Sequence, residues 1–201
     1  NPYRAESDSI IRKWNLGVTE NDRGEYRKGK LVDPAHPVVF YIDTCCPAEF
    51  VPYIKEGVLA WNAAFEKAGF KNALRVKMAD SKTVLEEQRA VIAYDLHEAG
   101  IRTGYTFHPK TGEILSCRVN IGHGFLPKEL WRYVLECGTV DDRIRKEFFH
   151  PDVVGEILRS KVIRAVGSVL GLKENLAGSA AYTAEQVKSV AWLKQHGYTG
   201  S

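Results

Sequence analysis

The chain has 201 residues and a net charge of +3, from 28 basic and 25 acidic side chains. Apolar residues make up 44% and charged residues 26%, which is enough apolar material for a core and unlike a disordered segment. The charges are mild in sum and interspersed, giving no electrostatic case for nucleic acid or a membrane surface, and no apolar run approaches the roughly 18 residues of a membrane span.

Residues 1–35 read as a peripheral N-terminal segment. They are polar, with turn signals at Asp22-Arg23-Gly24 and Asp33-Pro34, and with Trp14 and Leu16 as candidate anchors to a core. The chain begins at Asn1 with no basic-then-apolar leader, the expectation for a processed or excised chain. Residues 36–43, rich in β-branched and aromatic side chains, predict a buried strand. A turn at 44–47 leads into a predicted helix over 48–68, where Phe50, Ile54, Val58, Trp61 and Phe65 recur at helical spacing and Gly69 is a natural stop.

Three further strands are expected: 73–78, 90–96 and 102–107. Pro109-Lys110-Thr111-Gly112 has hairpin-turn composition, and 113–121 is expected to pair back. Ile114, Cys117 and Val119 are its candidate inward positions, and their broken parity points to a bulge. Residues 122–152 read as an insertion with two short helices, about 127–137 and 141–149. A long amphipathic helix follows over 154–172, with Ile157, Leu158, Ile163, Val166, Val169 and Leu170 on its buried side. A last helix, 183–195, starts at a Thr cap. This order predicts an α/β (α+β) fold in which helices cover one side of a mixed sheet.

The four cysteines are Cys45, Cys46, Cys117 and Cys137. Adjacent cysteines bridge only with strain, and no CxxC pair exists, so free thiols are the plain reading. A Cys117–Cys137 bridge stays open, and with it the redox compartment.

The long helix ends in Arg164-Ala165-Val166-Gly167-Ser168-Val169-Leu170-Gly171-Leu172-Lys173-Glu174, followed by Asn175-Leu176-Ala177-Gly178-Ser179. This frame resembles the HExxHxxGxxH helix of metzincin zinc metalloproteases. It resembles above all a family of large exported bacterial proteins in which the helix continues into Gly-Leu-x-x-Asn-x-Ala-Gly-Ser. Tyr41-Ile42-Asp43, Gly57-Val58, Trp61-Asn62, Ala64-Phe65, Ala68-Gly69-Phe70 and Pro109-Lys110-Thr111-Gly112-Glu113-Ile114-Leu115 look like landmarks of the same family. The resemblance spans about residues 30 to 183. It implies a zincin-like mixed five-stranded sheet with an antiparallel edge strand, packed on two long helices. It places a zincin-like domain over 36–201, of the upper subdomain type. The lower subdomain is expected to be short or missing, because Met78 is the only methionine and no methionine follows Glu174 to form the turn beneath the metal.

The chemistry of the family does not carry over. Its helix presents two histidines four residues apart to zinc, a Glu beside the first as general base, and a third ligand beyond the Gly. Here the corresponding positions hold Arg164, Ala165, Ser168 and Glu174, while the Gly171 turn is kept. Arginine has no lone pair to give, alanine takes no proton, serine binds zinc poorly, and one carboxylate does not make a site. No cofactor is therefore expected, although the resembling family uses zinc. Opposite charges at the first and third positions predict an Arg164–Glu174 ion pair in place of the metal; the alternative is two solvated surface charges.

None of the six histidines has a partner four residues on, and surface or loop positions are expected for His36, His97, His108, His123, His150 and His196. A relocated zinc site built from His97, His108, His123 or His150 stays open. Trp61, Phe65, Phe40 and Tyr94 are expected in the core, and Trp131 and Tyr133 as packing residues. The resemblance makes 102–107 an exposed edge that pairs with extended peptide, which nominates Arg102, Thr103, Gly104, Tyr105 and Thr106 as binding residues.

Three functions follow. The first is a catalytically inactive, metalloprotease-like module that binds an extended peptide or protein segment, with no nucleic-acid partner and no membrane insertion. The second is an active zinc metallopeptidase with displaced or externally supplied ligands. The third is a structural domain of a larger exported protein. Export, to the periplasm or cell surface, is implied by the resemblance alone.

Overall fold

Strand β1 (Val38–Ile42) buries Val38, Phe40 and Ile42 and leaves Val39 and Tyr41 half-covered, the two-residue alternation of a strand with one core face. This computed structural model describes residues 9–80, 89–139, 141–173, 176–189 and 191–192. β1 pairs in parallel with β2 (Leu74–Met78) on one side and β3 (Ala90–Asp95) on the other. β3 is buried from Ala90 to Tyr94, as a central parallel strand should be. Beyond β3 come β4 (Ile101–Phe107) and β5 (Ile114–Gly122), a hairpin whose second strand returns to the sheet. β5 runs parallel to β3, and among the described residues β4 pairs with β5 alone, antiparallel, giving the order β2-β1-β3-β5-β4. The fold is thus the expected mixed five-stranded sheet with an antiparallel edge. The expected bulge is present as well: Thr106 faces Ser116 and Phe107 faces Ile114, so Leu115 is unopposed.

The helix expected over 48–68 is broken in two. Helix α2 (Val51–Leu59) carries proline in its first turn, and α3 (Asn62–Lys67) follows after a bend at Ala60 and Trp61. Two side chains hold the bend. The Trp61 indole N–H donates to the Ile163 carbonyl at 2.9 Å. The Asn62 amide closes two bonds with the Leu74 backbone, at 2.8 and 3.1 Å. Sequence periodicity persists across the break, which is why the pattern reads as one helix. The N-terminal segment preceding β1 includes the short helix α1 (Arg23–Arg27) and buries Leu16 and Val32. Its Trp14 indole donates to the Val169 carbonyl at 3.2 Å.

After β5 come helices α4 (Phe125–Cys137) and α5 (Asp142–Lys146), and then the long α6 (Pro151–Val169). Asp141 caps α5 by accepting from the Arg143 amide, and the Arg143 guanidinium bridges Asp141 at 2.8 Å and Glu156 of α6 at 2.9 Å. That guanidinium holds the Asp141 carboxyl well below the usual carboxylate range. The buried stripe of α6 comprises Val153, Leu158, Val162, Ala165, Val166 and Val169. Ile157 and Ile163, expected inside, are half-covered; Val162 and Ala165 occupy the interior instead.

A second compact unit begins at Leu172. Within it, a 3-10 turn at Leu176–Ala181 precedes α7 (Ala184–Lys188). Thr183 caps α7 and forms a capping box with Gln186, the expected start. α7 closes at Lys188, residues 191 and 192 are helical again, and the remainder of the expected 183–195 helix lies outside the described residues. All four cysteines are free thiols, so the sheet holds Cys117 without a bridge to Cys137.

α2 and α6 pack closely because glycine stands where they cross. A Cβ on Gly155 would lie 2.1 Å from the Tyr53 ring, and one on Gly57 would lie 2.8 Å from Val162 Cγ1. Replacement of Gly155 by Ala forces this crossing apart and is expected to cost about 1–3 kcal/mol, read as a lower urea midpoint at unchanged m-value.

Candidate functional site

The site lies where α6 passes the edge strand. Alternation along β4 sends Ile101, Thr103, Tyr105 and Phe107 to the helix side, and period 3.6 along α6 brings Arg164, Ala165 and Ser168 to the strand. The two meet at hydroxyls: Thr103 Oγ1 and Ser168 Oγ are 3.4 Å apart. Ala165 is buried beside them. A cavity of about 360 Å³ opens here, lined by Ile101, Thr103, Arg164, Ala165 and Ser168 together with Phe125, Lys128, Glu129 and Lys161.

The ladder phase determines what the edge offers. The Gly122 amide donates to the Gly100 carbonyl at 2.9 Å, so Gly100 and Gly122 form a hydrogen-bonded pair. Arg102, Gly104 and Thr106 then turn their backbone groups toward β5, and the amides and carbonyls of Ile101, Thr103 and Tyr105 point to the open edge. The residues whose main chain faces outward are those whose side chains face α6.

This geometry divides the five nominated binding residues. Thr103 and Tyr105 belong to the helix side. Arg102 is turned away and pairs with Glu98 at 3.0 Å, while Thr106 shares a 2.6 Å hydroxyl contact with Ser116. Gly104 is exposed, with open space where a side chain would stand. The Tyr105 end is also capped: the Arg12 guanidinium lies 4.4 Å over the Phe107 ring and 5.3 Å over that of Tyr105, and donates to the Tyr105 hydroxyl.

Of the four positions aligned with the metzincin motif, Arg164, Ala165 and Ser168 line this cavity. Glu174, and with it the expected Arg164–Glu174 pair, lies outside the described residues. Gly171 has φ +96°, the left-handed turn expected of the motif's glycine, and a Cβ there would come within 2.6 Å of the Arg12 carbonyl. The donor set does not fit zinc. A guanidinium, a methyl group and a hydroxyl stand where two imidazoles and a carboxylate would be needed.

Nor do His97, His108, His123 and His150 assemble elsewhere. His108 Nδ1 accepts from the amides of Lys110 and Thr111 inside the hairpin turn. His123 Nδ1 is 2.6 Å from the Tyr94 hydroxyl. His97 is exposed, and His150 stands at the start of α6 with its Nδ1 buried. Among the described residues no three His, Cys, Asp or Glu side chains converge as a cation site.

Lys128, Glu129 and Lys161 were not legible as site residues from the sequence. Lys161 had one signal, its place three residues before Arg164 on the same helix face. Lys128 and Glu129 had none, because nothing in the insertion's pattern says that α4 docks beside the edge strand. Arg12 had none either, since its stacking depends on where the N-terminal segment crosses the hairpin.

A family model described as Met-zincin matches residues 146–201, the part of the chain that includes α6. The match supports a metzincin-like zincin family for this chain, as the motif frame implied, and the mixed sheet with its antiparallel edge is consistent with a zincin-like fold. No curated protein and no solved structure matches.

The thiols are poor nucleophiles, with one exception by position. Burial lifts Cys46 to about 11 and Cys117 to about 12, whereas Cys45 is exposed. At pH 8 iodoacetamide is expected to label Cys45 readily, and Cys46 and Cys117 at least about a hundredfold more slowly, read by peptide mass spectrometry. A second expectation tests the motif alignment. Arg164→His, Ala165→Glu, Ser168→His and Glu174→His, made together, restore the missing donors and should create chelator-sensitive zinc binding, read by calorimetry.

Proposed function

We propose that this domain is a metalloprotease-like module without hydrolytic activity, which binds an extended peptide or protein segment along β4. One observation carries the reading: the outward-facing backbone of Ile101, Thr103 and Tyr105 lies beside a cavity floored by α6, whose motif positions are Arg164, Ala165 and Ser168. An unpaired strand edge supplies main-chain donors and acceptors, and the adjoining cavity supplies a place for side chains. Hydrolysis needs a polarised water and a base, and the three described motif positions offer neither. The absence of such groups separates recognition from cleavage, which in this cleft geometry are different tasks for different residues.

The resemblance to large exported proteins also supports a place outside the cytoplasm. Among the described residues no helix is long and apolar enough to cross a membrane.

Hydrogen exchange with and without an extended, β-prone peptide tests the reading. Binding is expected to slow exchange at the amides of Ile101, Thr103 and Tyr105, with the peptide recovered intact. Unchanged exchange across β4 with every peptide, or chelator-sensitive cleavage, would contradict it.

A further inference from the structure

Helix α4 carries an apolar stripe that the core does not use. Its inner side is Phe125, Leu126 and Leu130, with Tyr133 and Val134 partly buried beside them. At about 100° per residue, Trp131 and Leu135 fall on the opposite side of the helix. They are 60% and 83% exposed. The patch continues onto the turn before α6. The Trp131 ring lies 4.9 Å from that of Phe148, which lies 4.9 Å from that of Phe149, itself 53% exposed. The rings support one another, so Trp131 and Phe149 form one surface. Large apolar side chains exposed side by side mark an interaction surface, whereas single ones need no explanation.

We propose that this surface pairs with a second copy of the chain, the two α4 helices packing antiparallel about a two-fold axis. The charges beside the stripe select this occupant. Lys128, Arg132 and Glu136 follow one another at four-residue spacing, so they form one row next to Trp131 and Leu135, basic at its start and acidic at its end. A two-fold axis across antiparallel helices brings a row on one flank against the same row of the copy, run in reverse. Seating Trp131 on the copy's Leu135, and the converse, places each Glu136 opposite position 130 of the copy. At about 1.5 Å of rise per residue, Glu136 then stands about 3 Å along the axis from both Lys128 and Arg132 of the copy. Within one copy Arg132 Nε donates to Glu136 Oε1 at 3.0 Å and the guanidinium lies 3.8 Å from Glu129. Such exposed pairs along one helix are weak, and a carboxylate can accept from a second cation. A parallel pair would set each charge beside its own kind. A partner of one sign, such as an anionic lipid surface, would meet like charge at one end of the row.

Sedimentation velocity of the full chain at rising concentration tests this. A reversible monomer–dimer equilibrium is expected in the micromolar range, because three exposed apolar side chains per copy make an interface at the small end of specific ones. Leu135→Glu, at a position where folding is not at stake, should weaken dimerisation at least about tenfold, with circular dichroism confirming that the variant folds. Charge reversal reads the antiparallel arrangement. Glu136→Lys makes the row wholly basic, and Lys128→Glu with Arg132→Glu makes it wholly acidic. Each variant alone is expected to stay monomeric, and an equimolar mixture of the two to dimerise. A wild-type chain that stays monomeric up to about 200 µM would overturn the proposal and leave the patch to a different protein. Dimers that Leu135→Glu leaves intact would place the contact elsewhere and overturn it as well. Charge variants that dimerise alone, or that fail to rescue each other, would overturn the antiparallel pairing.

Discussion

The close approach of α6 to the edge strand is the constraint on which the rest depends. It is enforced at both ends of the helix. Near the N-terminus, Gly155 lets Tyr53 of α2 press against the helix backbone; near the C-terminus, the Trp14 indole holds the Val169 carbonyl and Gly171 turns the chain under the Arg12 carbonyl. Between these points Arg164, Ala165 and Ser168 have no latitude to face elsewhere. Thr103 and Ser168 therefore meet, and the cavity between strand and helix follows from packing alone.

In the reading proposed above, that packing alone fastens the scaffold. In a metzincin the ligand helix is tied to its surroundings partly through the ion. Here the buried stripe of Val153, Leu158, Val162, Val166 and Val169 anchors α6 to the sheet, and Arg143 ties it to α5 through Glu156. Each fully buried aliphatic side chain contributes on the order of 1.5–3 kcal/mol. The helix thus needs no coordination to stay in place. The described motif positions carry other side chains, and Lys128, Lys161 and Arg164 are among the residues lining the cleft.

Much of the fold was legible because its signals are local. The β-branched runs gave β1 and β3, Pro109 to Gly112 gave the hairpin, and the broken parity at Ile114 and Cys117 announced the bulge. The capping box at Thr183 and the left-handed Gly171 were equally direct. What was not legible depends on distant partners. The bend at Trp61 exists because Asn62 must reach the Leu74 backbone, a contact invisible to helical periodicity. Ala165 was read as a lost base, and its burial shows that it also serves as core. The cationic lining needed the placement of α4, and the capping of Tyr105 and Phe107 needed the path of the N-terminal segment. Pattern fixed which elements form; side chains reaching across the sequence decided what they enclose.

Whether the cleft holds a functional divalent ion decides between a binding module and a peptidase. Metal analysis of the purified protein after dialysis against zinc, run together with a peptide-cleavage assay, measures this directly. The expected result is zinc well below one equivalent and no cleavage that a chelator abolishes. Stoichiometric zinc that a chelator removes, accompanied by loss of peptide hydrolysis, would contradict it.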